Sequence, residues 1–110
     1  FDEVDAGIGG RVATVVGEKL RALGERFQVL CITHLPQIAA CGRTHFLIEK
    51  RIVRHRTMTS VTALKGEERV AEIARMMGGA AAGEKAMDSA RELIAGSGAK
   101  AKGERRKSRE

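Results

Sequence analysis

Phe1-Asp2-Glu3-Val4-Asp5-Ala6-Gly7-Ile8-Gly9-Gly10 opens the chain and decides how the rest is read. An apolar residue, two adjacent carboxylates and a glycine-rich turn lead into a helical pattern. At the end of a buried strand, such an acid pair suits nucleotide hydrolysis, with one carboxylate near a metal ion and its neighbour near a water. Phosphoryl transfer needs both roles because it relies on positioning and on neutralising charge. In extended backbone Asp2 and Glu3 point to opposite sides, so the two roles need not compete for one place. Gly7, Gly9 and Gly10 permit close backbone approach to a phosphate or to a partner subunit. A merely solvated strand end has the same dipeptide, and that reading stands beside the catalytic one.

The second landmark is Thr33-His34-Leu35-Pro36-Gln37. It follows Val29-Leu30-Cys31-Ile32, a continuous apolar run that predicts a strand over 28–33 buried on both faces, as in a parallel sheet. Pro36 suits the first turn of a short helix through Ala40. Strand, helix, strand, helix is the α/β rhythm, and such sheets hold ligands at the carboxyl ends of their strands. His34 sits at such an end, either as a cap or as a hydrogen-bond donor to a terminal phosphate.

Between the landmarks, Val12, Val16, Leu20 and Leu23 recur at helical spacing and predict a helix over 10–23 that stops at Gly24. Gly17 lies inside it at a cost in propensity, a place where another backbone packs closely. Further on, Phe46, Ile48 and Ile52 alternate with Glu49 and Arg51. A Thr- and Val-rich run follows over 58–64, and Arg54-His55-Arg56 forms a polar break between the two. This predicts a half-exposed antiparallel hairpin. Val70, Ile73, Ala74 and Met77 form the stripe of a helix begun by Glu67-Glu68 and closed by Gly78-Gly79. After a small-residue linker over 80–83, Ala86, Ala90, Leu93 and Ile94 mark a last helix ending at Gly96. Residues 97–110 are charged and rich in small residues, and are expected to be disordered.

The 110 residues fit one small domain or a piece of a larger protein, and the opening on Phe1 rather than Met leaves both open. With three Phe and no Trp or Tyr, the core must rest on aliphatic residues, Met and Ala. No apolar run reaches the length of a membrane span and no signal peptide is visible. The net charge of +6 is concentrated at the end of the chain: residues 97–110 hold six Lys or Arg against two Glu, 6 − 2 = +4. Such a tail adds salt-sensitive attraction to DNA phosphates or is simply solvated. Cys31 and Cys41 are too few for a disulfide framework, and the expected compartment is reducing and cytoplasmic. Cys31 reads as a small core residue, since no CxxC pair accompanies it for metal binding. His45 and His55 read as surface histidines, and Met76-Met77 as helix core.

Taken together, the motifs carry a specific resemblance. Phe1 to Gly10 resembles the end of a Walker B motif running into a D-loop, and Cys31-Ile32-Thr33-His34-Leu35-Pro36-Gln37-Ile38-Ala39 resembles a switch-histidine segment. With the Glu49-Lys50 strand, its Thr-rich partner and Glu68 to Gly79, the chain is similar over roughly residues 1–95 to the carboxyl-terminal part of the RecN family. These are bacterial DNA repair proteins on the SMC-like branch of the ABC-type ATPases.

The resemblance implies an α/β fold, part of a P-loop NTPase head of the ABC type with parallel strands, a β-hairpin and carboxyl-terminal helices. Residues 1–96 would be the head portion and 97–110 a basic tail. It implies ATP and Mg2+ as cofactors, Asp2 on the metal side, Glu3 as general base and His34 as γ-phosphate sensor. Asp5, Gly7, Gly9, Gly10 and Gln37 would lie at the nucleotide, with Asp5 to Gly10 facing a second head in a homodimer. Transporter-type loops usually end on Asp where this chain has Gly9, so that contact would rest on backbone. DNA is the implied partner, with no membrane, in the nucleoid region of the cytoplasm, and double-strand-break repair is the implied process. The phosphate-cradling GxxxxGK[ST] and the signature segment are absent from this sequence, so the chain alone is expected to be inactive. Two rivals remain: another SMC- or RecF-like head, and a non-catalytic truncated module that binds a partner head or nucleic acid.

Overall fold

Ile73 is completely buried and marks the centre of the core. Around it lie Ala40, Val70, Ala74 and Ala90, with Met76, Ala86, Met87, Leu93 and Ile94 packed against them. The computed structural model describes residues 1–2, 7–78 and 83–109, with residues 98–109 described by their backbone. Its elements are α1 (Gly10–Leu23), α2 (Pro36–Ala39), β1 (His45–Val53), β2 (Arg56–Leu64), α3 (Glu67–Gly78) and α4 (Glu84–Arg109). The Glu67-Glu68 start of α3 complements the positive end of the helix. Across the helix pair, Arg91 of α4 reaches Glu67 of α3 at 2.8 Å. Met76, rather than Met77 of the predicted stripe, turns toward the core, and Met77 is exposed.

The predicted hairpin forms. β1 and β2 pair antiparallel over their full lengths, from His45 opposite Leu64 to Val53 opposite Arg56. Arg54 and His55 make the two-residue turn with φ of 51° and 65°, the backbone signature of a type I′ turn, whose twist suits the flanking strands. Only the root of the hairpin is covered, and Ile52 near the tip is 82% exposed.

Three expectations are corrected. Residues 28–33 do not form a strand, and no parallel strand pair exists among the described residues. What remains is a single parallel bridge between Asp2 and Ile32, in which the Ile32 N–H donates to the Phe1 carbonyl at 2.9 Å. A strand buried on both faces needs neighbours on both sides. Here the run meets one short partner and Leu30 is left 71% exposed.

The Val12-Val16-Leu20-Leu23 stripe of α1 is covered only in part. Val16 and Leu20 are half-buried, Val12 and Leu23 are exposed, and the fully buried residues of this helix are Ala13 and Gly17. The cause is the approach of α2: a Cβ on Gly17 would lie 2.7 Å from the Cys41 sulfur and 3.1 Å from the Gln37 carbonyl oxygen. Only small residues admit that contact, so the close-packing reading of Gly17 is borne out.

The third correction concerns the end of the chain. The last helix does not stop at Gly96, and α4 continues through residues 97–109 to Arg109. The run beyond Gly96 consists largely of Ala, Lys, Glu and Arg, all strong helix formers. This long helix and the projecting hairpin give a radius of gyration of 15.1 Å, above the roughly 13 Å of a compact domain this size.

Candidate functional site

The bridge that replaces the predicted strand brings the two sequence landmarks together. Asp2 pairs with Ile32, and His34 lies two residues further along the same segment. Asp2 and His34 are both exposed at this edge. After Ile32 the chain turns: the Thr33 hydroxyl oxygen accepts the Leu35 N–H at 3.0 Å, a local bond that replaces strand continuation. Leu35 is extended, with φ −94° and ψ 126°, and Pro36 starts α2. That sequence of bend, extended residue and proline is how His34 comes to stand proud of the surface.

A second pair of predicted site residues meets across α1 and α2. Gly10, the first residue of α1, lies against Gln37, whose amide nitrogen would be 3.3 Å from a Cβ placed there. The Gln37 Oε1 is buried with no hydrogen-bond partner among the described residues. Gly7 has φ +74°, a conformation in which its lack of a side chain is used. Gly9 is the N-cap of α1, with no side-chain cap on the helix and no acid in its first turn. Glu3 and Asp5 lie outside the described residues.

What the sequence did not point to is a clasp of two arginines on the far end of α2. One guanidinium nitrogen of Arg69, from α3, donates to the carbonyls of Ala39 at 3.3 Å, Ala40 at 3.2 Å and Gly42 at 2.5 Å. Arg21, from α1, donates to the Cys41 carbonyl at 2.7 Å. Ala39 ends α2 and Ala40 caps it, so the clasp falls on carbonyls at and just past the helix end, where intrahelical partners run out. Burial, and then the like charge of Arg21, hold the Arg69 guanidinium below the usual arginine range, with Cys41 acting in the other direction. No spacing rule relates Arg21 or Arg69 to residues 39–42.

His45 is a further correction, since it is half-buried at the root of β1 rather than at the surface, with its Nδ1 buried and unpartnered among the described residues. Burial lowers its affinity for a proton from the ordinary value of 6.5, Arg69 lowers it further, and Glu72 opposes both. The unfolded chain therefore takes up this proton at higher pH than the folded one. The contribution is complete above about pH 6.5 and is lost as pH falls through the lowered folded value. Urea midpoints measured from pH 8 to pH 5 should fall on the acid side for the natural chain and fall less for His45→Gln. Identical profiles for the two proteins would remove His45 from this role.

Among the described residues no three His, Cys, Asp or Glu side chains gather into a metal site. Asp2 is a single carboxylate. That fits a share of a Mg2+ shell, because this ion is usually held by one or two carboxylates, waters and substrate phosphates rather than by a protein cage. No helix among the described residues is long and apolar enough to cross a membrane.

Comparison with known proteins follows the same line. No family model matches the chain. Curated proteins do: DNA repair protein RecN of Xylella fastidiosa is 51% identical over 94 residues, covering 86% of this chain and 17% of that protein. DNA repair protein RecN of Deinococcus radiodurans is 51% identical over 96 residues, 87% of this chain and 17% of its own length. That of Bacillus subtilis is 47% identical over 94 residues, 86% of this chain and 16% of its own. The chain is a homologue of these proteins over most of its length, and it spans about 17% of theirs.

Proposed function

We propose that this chain supplies one wall of an ATP-hydrolysing head in a RecN-like protein that works in the repair of DNA double-strand breaks. The observation that carries the proposal is identity of about one residue in two to DNA repair proteins over 86% of the chain. The bridge between Asp2 and Ile32 supports it, because it sets the acidic segment beside the one that bears His34. The rest of the head, including the phosphate cradle that this sequence lacks, would come from the larger share of such a protein. The site would be cytoplasmic, on the nucleoid.

In this reading Asp2 provides one carboxylate to the metal side, directly or through water, and Glu3 takes a proton from the attacking water. His34 would donate a hydrogen bond to the outermost phosphate. When bound, Mg2+ neutralises phosphate charge, which is its usual contribution to phosphoryl transfer. Gly10 and Gln37 hold the start of α1 against α2 beside the nucleotide. The stretch from Asp5 to Gly10 meets the second head through backbone groups.

Asp2→Asn in a complete RecN-like protein carrying this segment tests the assignment. ATP turnover should fall, and the Mg2+ concentration giving half-maximal turnover should rise severalfold. An unchanged Mg2+ dependence would take Asp2 off the metal side and leave the head without its acidic partner.

A further inference from the structure

We propose that the β1–β2 hairpin is a nucleic-acid contact, its basic tip seated on the phosphates of duplex DNA. The inference rests on the reading above only in choosing DNA as the polyanion. Lys50, Arg51, Arg54 and Arg56 stand within seven positions of one another against the single acid Glu49, 4 − 1 = +3. With +4 in residues 97–110 and +6 overall, everything else nets 6 − 4 − 3 = −1. The hairpin tip is therefore the one concentration of positive charge in the body of the chain.

The register spreads that charge around the ribbon. Lys50 lies opposite Thr59 on one face, Arg51 opposite Met58 and Arg56 opposite Val53 on the other, with Arg54 in the turn itself. Arg51 touches Glu49 only at 3.9 Å, and no salt bridge among the described residues engages Lys50, Arg54 or Arg56. Of the seven other arginines in residues 1–96, five are spoken for: Arg21 and Arg69 by carbonyls, Arg43 by Glu25, Arg75 by Glu72, Arg91 by Glu67 and Asp88, and the remaining two, Arg11 and Arg26, lie far apart in sequence. The tip cations are exposed and free to meet an outside anion.

The turn adds an independent observation. A two-residue turn with both φ values positive favours Asn and Gly, because a Cβ is strained there. This chain places Arg54 and His55 in it. Strain of this kind clusters at functional positions, and here it is borne by a cationic side chain at the tip of the ribbon. Nine residues per strand at about 3.4 Å each give a ribbon of about 30 Å, and a two-stranded ribbon fits a major groove about 12 Å wide. Guanidinium groups pair with phosphate in bidentate fashion, which a repeated phosphate backbone offers along its length.

The test uses the 110-residue chain and a labelled 30-base-pair duplex of mixed sequence, with affinity measured from 25 to 200 mM NaCl. The turn variant combines Arg54→Asn, His55→Gly and Arg56→Thr. It removes two cations and installs the pair the turn prefers, so the hairpin is kept, as amide spectra would verify. Expected is a loss of at least tenfold in affinity at 50 mM salt, with the slope of log K against log salt shallower by about 1.8. Equal affinity and slope for the two proteins would overturn the proposal. So would loss of all binding on deleting residues 97–110, which would make the end of the chain the sole contact. Poly-glutamate competing as well as DNA, charge for charge, would also overturn it, in favour of an acidic protein partner. ATP turnover enters none of these readings. A tip that binds DNA in a protein indifferent to Asp2→Asn would sink the ATPase assignment and leave this one standing.

Discussion

Glu3→Gln, placed in a complete RecN-like protein, is expected to slow ATP hydrolysis by about 10²–10⁴-fold while ATP stays bound, the range a positioned general base contributes. The amide keeps the size of the carboxylate and can still hold a water, but it cannot accept that water's proton. Nucleotide therefore enters and is not consumed. Two heads joined by ATP would stay joined, which size-exclusion chromatography in the presence of ATP and Mg2+ reads directly, alongside phosphate release. Turnover at the natural rate would exclude Glu3 as the base. The same loss with ATP no longer bound would instead give Glu3 a place in binding. Asp2→Asn differs in kind, since its deficit should depend on Mg2+ concentration and that of Glu3→Gln should not.

Gly17→Val should destabilise the chain by roughly 2–3 kcal/mol, the upper part of the usual cost of overpacking. Two effects oppose each other. Within a helix interior glycine is the poorer residue by less than about 1 kcal/mol, so propensity alone favours the substitution. Against that, the first added carbon already meets the Cys41 sulfur at 2.7 Å and the Gln37 carbonyl oxygen at 3.1 Å. A thiol can swing aside, but a backbone carbonyl in α2 cannot, and the clash wins. Thermal unfolding should show a midpoint lower by about 10–20 °C, given some 4–8 °C per kcal/mol for domains near this size. Gly17→Ala should lose less, and Cys41→Ala in the same chain should restore part of that loss by removing the sulfur. Absence of any such coupling would mean that α1 does not rest on α2 at this point.

The elements legible in the sequence are those whose signal is local. The hairpin announces itself by alternation on either side of Arg54-His55-Arg56, and α3 by its acidic start and spaced Val70, Ile73 and Ala74. Residues 28–33 carry an equally clear apolar run, yet a strand is a relation between segments, and here the partner is only Phe1-Asp2. Hydrophobic periodicity is half right for α1, where Val16 and Leu20 are half-buried and Val12 and Leu23 exposed, because it marks the residues that would gain from burial. The contact selected the residues small enough to be approached, Ala13 and Gly17. Of the candidate site, the nearness of the Asp2 and His34 segments comes from a single bridge rather than from the strand expected over 28–33, and Gly10 against Gln37 could not have been foreseen from spacing. The arginine clasp was invisible for the same reason: Arg21 and Arg69 lie 20 to 30 positions from the carbonyls they hold.

That clasp has a mechanical consequence. A four-residue helix with its last carbonyls fastened from two sides is a lever with a fixed pivot. Its other arm bears Leu35 and His34. That arm is moored as well, by the Ile32 N–H on the Phe1 carbonyl and the Leu35 N–H on the Thr33 hydroxyl. His34 is thus slung between two anchorages drawn from distant parts of the chain, and loss of either one is felt at the histidine.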